Sequence, residues 1–337
     1  MSFATMSHVA VVGAGAWGTA LSLVLAERGD DVRLWTWQEA HAEELERERE
    51  NRRFFPGYAL PPAVHVTADL ESAVSDASMV LVVVPTTAYR VTLSRLGPAL
   101  APGCPVVTCS KGIEVESQML LSEVLESELG PEVRKRSLYL SGPSFADEVA
   151  RRLPTNVVLA GFSFDLSVEV QQRIATDRFR VYSSDDPIGV QVGGALKNVI
   201  AIAAGACDGL GFGYNTRAAL ITRGLAEMAR LAVEKGGQEH TLAGLSGLGD
   251  LVLTCTGELS RNRTLGFELG RGKELAAVEQ ALGHVAEGVV TAKSAYHLAE
   301  RLGVDLPISS EVYRVLYEHK PVSEAVRDVL GRPLRRE

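Results

Sequence analysis

Residues 9–18 read VAVVGAGAWG: an apolar run, Val9 to Val12, followed by glycines at 13, 15 and 18. A continuous β-branched run suits a strand buried in a parallel sheet. The next stretch, TALSLVLAERG, is rich in Ala and Leu, carries its charges at the far end and stops at Gly29. It predicts a helix over 19–28 closed by a left-handed glycine. A second apolar run, VRLWTW, follows. Strand, glycine turn, helix, strand is the order a dinucleotide fingerprint requires. The glycines permit a tight turn, close approach of backbone to a pyrophosphate and close helix packing. The competing reading is a plain βα turn, and the flanking elements favour the nucleotide.

The same rhythm continues. HAEELERERENRR reads as a charged, solvated helix, and the prolines of FFPGYALPP then break the pattern. ASMVLVVVP is a buried strand ending at Pro85. PVVTCSKGIE predicts a strand over 106–109 that runs into Ser110-Lys111-Gly112, and SLYLSGPSFADEV repeats the design at Ser141-Gly142-Pro143. Ligands of open parallel sheets sit beyond the carboxyl ends of the strands, so these turns and the first one should converge on one crevice. TNVVLAG and FRVYSS are further strands closing the first domain. From about Pro187 strands give way to long Ala- and Leu-rich segments, VQVGGALKNVIAIAAGACDG, NTRAALITRGLAEMARLAVEKG and TAKSAYHLAERLG. The prediction is an α/β Rossmann-type N-terminal domain with a mostly parallel sheet over 1–188, which holds the nucleotide. An all-α C-terminal domain over 189–337 follows, which holds the substrate.

Bulk properties narrow the function. The chain has 337 residues, 46% of them hydrophobic, enough for a sizeable core without staples. A net charge of −8 argues against nucleic acid or a membrane surface as partner, so an anionic ligand must be held by local cations. Cys104, Cys109, Cys207 and Cys255 show no metal-like spacing and read as reduced, buried thiols of a cytoplasmic protein. The N-terminus MSFATMSH has no signal pattern, no apolar run reaches a membrane span without a charge or amide, and no histidine pair suggests a metal.

Two constellations carry chemistry. In GGALKNVIAIAAG, Lys197 and Asn198 interrupt an apolar helix, where an unpaired ammonium would cost several kcal/mol. An arbitrary lysine would snorkel from the helix edge, but Gly193 and Gly194 mark a place where another backbone or a ligand comes close. Desolvation would lower the pKa toward the range useful for proton transfer, which makes Lys197 a candidate general acid/base that Asp250 could orient. In GLGDLVLTCTGELSRNRTLG, Asp250, Thr254, Ser260, Arg261 and Asn262 fall within thirteen residues. SRN opens a helix whose free amides, with a guanidinium, suit a phosphate.

The ordered blocks GAGAWGTALS, SKGIE, SGPSFA, GGALKNVIAIAAG, ALITRGLAEM, GLGDLVLTCTG, SRNR and EG, spanning residues 9 to 332, resemble the bacterial NAD(P)-dependent glycerol-3-phosphate dehydrogenase family. The resemblance implies reversible hydride transfer between a nicotinamide cofactor and the dihydroxyacetone phosphate/sn-glycerol 3-phosphate pair, feeding phospholipid synthesis. It implies that Lys197 is the proton donor and acceptor, with Asn198 beside it, and that Lys111 touches both cofactor and substrate. Gly142 and Ser144 line the same pocket, Asp250 and Thr254 surround the lysine, and Ser260, Arg261 and Asn262 take the phosphate end. On the cofactor side the matching positions are Gly13, Gly15, Ala16, Trp17, Gly18, Trp37, Arg53, Lys111, Ala146, Arg261, Val285 and Glu287. A homodimer is implied as well.

One departure concerns the cofactor. Many NADP-preferring members carry a basic or imidazole residue after the LW of the second strand, whereas this chain has Thr36 and Trp37. Neither a ribose-binding carboxylate nor a 2′-phosphate cation stands there, and Arg52 or Arg53 is the cation left to serve instead, so the cofactor is NADP(H) or NAD(H), NADP slightly favoured. The competing enzyme is another lysine-base, two-domain dehydrogenase acting on a 3-hydroxy acid or a sugar-acid phosphate. The competing non-enzyme is a nucleotide sensor. The first should not share the long ALKNVIAIAAG and GLGDLVLTCTG–SRNR blocks, and the second has no need of the set Lys111, Lys197, Asp250 and Arg261.

Overall fold

The apolar run at the start of the sequence becomes β1 (His8–Val12), buried at every residue. The computed structural model describes residues 8–283 and 286–332. They fall into two units. The first comprises residues up to 110 together with 121–187, and the second comprises 111–120 together with the chain from 188 onward.

In the first unit α1 (Ala16–Glu27) follows the glycine turn and β2 (Val32–Trp35) returns beside β1. The helix starts three residues earlier than the composition predicts, because Gly15 in an extended conformation serves as its N-cap and Ala16 and Trp17 already wind. At the other end Gly29 is left-handed, φ +92°, as the sequence predicts. Then come α2 (Glu39–Glu48), a small hairpin of β3 (Glu50–Asn51) and β4 (Phe55–Ala59), β5 (Val64–Thr67), α3 (Leu70–Val74) and β6 (Ala77–Val82). The unit continues with α4 (Thr86–Leu96), β7 (Val106–Thr108), α5 (Leu121–Leu129), β8 (Ser137–Ser141), α6 (Ala146–Ala150), β9 (Thr155–Gly161), α7 (Phe164–Ile174) and β10 (Phe179–Ser184). Eight strands form one sheet in the order β10-β9-β8-β7-β6-β1-β2-β5. Every pairing is parallel except β8 with β9. Its Val- and Leu-rich strands are sealed by the helices that make the crossovers. Strand β5 and the hairpin were not legible in the sequence, since β5 is only VHVT and follows the prolines that punctuate residues 54–62.

The second unit is helical, as the sequence predicts. It holds α8 (Pro187–Gly209), α9 (Tyr214–Glu234), α10 (Asp250–Thr256), α11 (Arg261–Gly270), α12 (Leu275–Leu282), α13 (Glu287–Leu302), α14 (Pro307–Tyr317) and α15 (Val322–Leu330). Helix α8 is long and apolar enough to cross a membrane by length and composition alone, yet 89% of that stretch is buried inside the fold. It is the axial helix of an apolar core that includes Val199, Ile200, Met228, Leu251, Leu265 and Leu298. Two glycine pairs bring α11 against it backbone to backbone. A Cβ on Gly205 would strike the Arg263 carbonyl, one on Gly209 the Phe267 carbonyl, one on Gly266 the Ile202 carbonyl and one on Gly270 the Ala206 carbonyl.

Candidate active site

The glycine turn of the fingerprint lies in the first unit. Gly13 ends β1 with φ +126°, and a side chain there would run into the Val83 carbonyl. Gly18, in the first turn of α1, faces the Gly13 carbonyl at a distance no Cβ tolerates. Gly15 has open space around it. Two of the three glycines are therefore required by packing, and the middle one leaves room where a pyrophosphate would approach the helix N-terminus. The indole Nε1 of Trp17 is buried with no hydrogen-bond partner, an orphaned donor beside that same turn. These features fit a dinucleotide.

A buried side chain braces the turn from behind. Asn51 donates to the Ala14 carbonyl (2.9 Å) and to Thr19 Oγ1 (2.8 Å), and its own carbonyl accepts from the Phe54 amide (3.2 Å) and His41 Nε2 (3.3 Å). His41 Nδ1 is then free to accept from Thr36 Oγ1 (3.0 Å). Burial holds the His41 imidazole below its ordinary pKa and so neutral. Past β2, Trp37 is 71% exposed and Arg53 donates to Gln38 Oε1 (2.8 Å), with its guanidinium over the Phe54 ring. Gly142 is left-handed (φ +134°) and its carbonyl accepts from Ser144 Oγ (2.9 Å), and Ala146 opens α6.

The charged centre lies in the second unit. Asp250, fully buried, accepts from Lys111 Nζ on Oδ2 (2.8 Å) and from Lys197 Nζ on Oδ1. Lys197 does not snorkel: its side chain is 10% exposed and its ammonium is held inside. Gly193 makes this possible. A Cβ there would stand 2.5 Å from the Ser246 carbonyl, so the π-helical turn Leu245–Gly249 lies directly on α8 and delivers Asp250 at the start of α10. Thr254 Oγ1 donates to the Asp250 carbonyl (2.6 Å).

The charges set one another's protonation. Burial lowers the Lys197 pKa from 10.5 to about 8, opposed by the Asp250 carboxylate and reinforced by Lys111. Burial would push the Asp250 carboxyl up, but the two ammonium groups together outweigh it and hold the group below the usual carboxylate range. Glu287, the first residue of α13, is raised by burial against the pull of Arg261, Lys111 and Lys197. The centre thus combines an anchored carboxylate, a lysine poised to exchange a proton near neutral pH, and a second ammonium.

Ser260 caps α11, its Oγ accepting from the Arg263 amide (3.2 Å). Asn262 Nδ2 donates to Asn198 Oδ1 (3.0 Å), and its Oδ1 accepts from the Gly288 amide (3.0 Å), tying α11 to α8 and α13. A Cβ on Gly288 would sit 2.6 Å from Asn262 Oδ1, so the junction admits only glycine. Arg261 is the exposed first residue of α11 and makes no hydrogen bond or ion pair among the described residues. An exposed cation, free amides and a capped helix start are what a phosphate requires.

Family models describing the NAD-dependent glycerol-3-phosphate dehydrogenase N-terminus and C-terminus match residues 8–164 and 186–327. The chain belongs to that family. The glycerol-3-phosphate dehydrogenase (NAD(P)+) of Geobacter sulfurreducens is 50% identical over 330 residues, covering 98% of each chain. The crystal structure of glycerol-3-phosphate dehydrogenase from Coxiella burnetii matches with a TM-score of 0.92 at 41% identity, covering 97% of this chain and all of that one. That of the Saccharomyces cerevisiae enzyme matches with a TM-score of 0.82 at 28% identity, covering 97% and 99%.

Within this glycerol-3-phosphate dehydrogenase fold, Lys111, Lys197, Asn198, Asp250, Thr254, Ser260, Arg261, Asn262 and Glu287 all lie in the second unit. Gly13, Gly15, Ala16, Trp17, Gly18, Trp37, Arg53, Gly142, Ser144 and Ala146 lie in the first. Val285 falls outside the described residues. Asn51 was missed, although an asparagine amid the charges of ERERENRRFF is a signal of sorts. Asp208, Arg217 and Arg263 were missed too, because residues from three separate helices meet only in the fold.

Proposed function

We propose that in this chain Lys197 exchanges the substrate proton, Asp250 orients Lys197 and Lys111, Lys111 stabilises the reacting oxygen, and Arg261 with the start of α11 holds the phosphate. The chain is an NAD(P)-dependent glycerol-3-phosphate dehydrogenase, an oxidoreductase that interconverts dihydroxyacetone phosphate and sn-glycerol 3-phosphate for glycerophospholipid synthesis. A nicotinamide cofactor, when bound, would supply the hydride chemistry at the substrate carbon that bears the oxygen. As the ketone is reduced its oxygen gains negative charge. The protonated Lys197 delivers the proton, and the Lys111 ammonium stabilises the charge as it develops. In the reverse direction the neutral amine takes the proton. Asp250 holds Lys197 by one oxygen and Lys111 by the other, so both ammonium groups keep their positions as charge moves.

Ser260 and Asn262 fix the helix start, Asn198 and Thr254 flank the lysine, and Gly142 and Ser144 complete the substrate residues. Gly13, Gly15, Ala16, Trp17, Gly18, Trp37, Arg53, Ala146 and Glu287 serve the cofactor, so residues 1–188 carry nucleotide binding and 189–337, joined by Lys111, carry the chemistry. Arg53 lies beyond β2 and no carboxylate occupies positions 36 and 37, which favours NADP(H) over NAD(H). The enzyme works in the cytoplasm as a homodimer.

The observation that carries the reading is the buried lysine paired with a carboxylate that a second lysine shares. The test is cofactor oxidation: the purified protein should consume NADPH, and NADH more slowly, when dihydroxyacetone phosphate is added, and respond poorly to unphosphorylated dihydroxyacetone. Equal rates with the two ketones would remove the phosphate role of Arg261.

A further inference from the structure

Three arginines of the second unit lie around one helix start, and among the described residues Arg261 alone of the three makes no hydrogen bond or ion pair. Asp208, near the end of α8 and side-chain buried, is shared by two guanidinium groups. Its Oδ1 accepts from Arg217 Nε (3.0 Å) and Nη2 (2.7 Å), and its Oδ2 from Arg263 Nε (3.1 Å) and Nη2 (2.8 Å). Each arginine grips a single carboxylate oxygen with two of its own donors, and both are largely buried. Arg217 belongs to α9. Arg263 belongs to the first turn of α11, two residues beyond Arg261, and its amide is the one capped by Ser260. Gly205 bears directly on the Arg263 carbonyl.

We infer that Asp208 is a positioning residue for phosphate recognition: by holding Arg263 it fixes the first turn of α11 and hence the direction in which Arg261 and the free amides point. The inference rests on the phosphate reading given above. Asp208 stands eleven residues beyond Lys197 on the same helix, about 16 Å along its axis, so it touches no reacting atom. What it provides is a rigid tie between the helix that carries the acid/base lysine and the helix that grips the phosphate. It also neutralises one of the two buried guanidinium groups, and geometry directs both toward the carboxylate, which leaves Arg261 as the cation an incoming phosphate meets. Asn262 anchors the same turn from the other side through Asn198 and Gly288. Releasing the Asp208 side lets the turn pivot about that anchor.

The variants are Asp208→Asn, Arg263→Lys and, as comparison, Arg217→Lys. Steady-state rates with dihydroxyacetone phosphate and with unphosphorylated dihydroxyacetone are measured on the full chain with NADPH, together with NADPH affinity. For Asp208→Asn and Arg263→Lys, KM for the phosphorylated ketone should rise about tenfold or more, with kcat within about threefold, the pattern of lost binding rather than lost chemistry. Rates with dihydroxyacetone and NADPH affinity should stay near wild type. Arg217→Lys, which acts on the other oxygen from a helix that does not bind phosphate, should change KM by less than about threefold. A merely structural role would lower both ketone activities together, and that result overturns the inference. Should Asp208→Asn fail to fold, because it strands two buried guanidinium groups, Arg263→Lys decides, since it keeps the charge and loses only the two-point grip. A wild type that does not distinguish the ketones overturns the phosphate reading and this inference with it. A wild type that does, with variants that do so equally, overturns this inference alone.

Discussion

Replacing Lys197 with methionine should stabilise the protein while nearly abolishing its activity. The lysine side chain is 10% exposed, and burial lowers its pKa from 10.5 to about 8 even with Asp250 beside it. That displacement corresponds to about 3 kcal/mol by which the fold disfavours the charged form. Below pH 8 the lysine is protonated in the folded and unfolded chains alike, so the wild type carries this cost in full at neutral pH. The cost is relieved as pH rises from about 8 to 10.5, where the folded state loses the proton first. Methionine has comparable length and no charge, and Asp250 keeps Lys111 at 2.8 Å, so the variant leaves no bare carboxylate. Urea unfolding, followed by the fluorescence of the three tryptophans, should therefore show Lys197→Met at least as stable as wild type at pH 7. Its advantage should shrink by up to about 3 kcal/mol between the two pH limits. Turnover, read from NADPH absorbance, should fall by roughly 10²-fold to 10⁴-fold, the loss associated with a positioned acid/base. In the wild type, ketone reduction should decline and alcohol oxidation rise as pH passes about 8, and the variant's residual rate should show neither limb. A variant that keeps more than about a tenth of wild-type turnover, with the same pH profile, would refute the proton-transfer role.

Arg261→Ala should raise KM for dihydroxyacetone phosphate by about tenfold or more, because a charge-assisted phosphate contact is lost, whereas Arg271→Ala, on the exposed end of the same helix, should change it by less than about twofold. Comparable kinetics for the two variants would show that the helix start does not meet the phosphate. Gly18→Ala should abolish NADPH binding in equilibrium titration and lower the melting temperature, since its Cβ collides with the Gly13 carbonyl; a normal Kd would mean the turn is free to shift. Glu227 is buried, accepts from the Ile308 and Ser309 amides and from Ser309 Oγ, and burial raises its pKa to about 7 despite these donors. The folded chain thus keeps a proton that the unfolded chain releases near 4.5, so this group's contribution to stability falls by about 3 kcal/mol as pH rises from 4.5 to 7. Glu227→Gln should lack that slope in pH-dependent denaturation, and an unchanged slope would assign it to other groups.

Local signals carried much of the fold into the sequence. The β-branched run from Val9, its glycines and the Ala/Leu-rich helix belong to one contiguous stretch, and each element is specified by residues within reach of one another. Strand β5 escaped because four residues of mixed polarity form a strand only against β2. Lys197 announced itself through the apolar helix around it, and Ser260 through the cap position it fills. The Asp208 cluster gave no such signal. Its members are an ordinary aspartate and two ordinary arginines on three helices, and backbone contact between glycines of α8 and α11 is what gathers two of them. Asn51 was hidden for the same reason, since its four hydrogen-bond partners come from four different segments.

Residues 111–120 pack with the helical unit although they lie in the chain between β7 and α5. The Ile113–Leu120 bridge closes the segment on itself, and Arg301, which donates to the Ser117 carbonyl and to Gln118, and the Lys111–Asp250 pair tie it to the helices. The chain therefore leaves the first unit, contributes Lys111, and returns before leaving for good. For protein engineering this means the two units are not exchangeable cassettes. A splice at residue 188 would transplant Asp250 with one of its two lysines, and a recipient would inherit a carboxylate with an open valence of charge. Recombination that preserves the whole charge set must carry a ten-residue loan from the nucleotide half, a constraint that ties the inheritance of cofactor and substrate modules together.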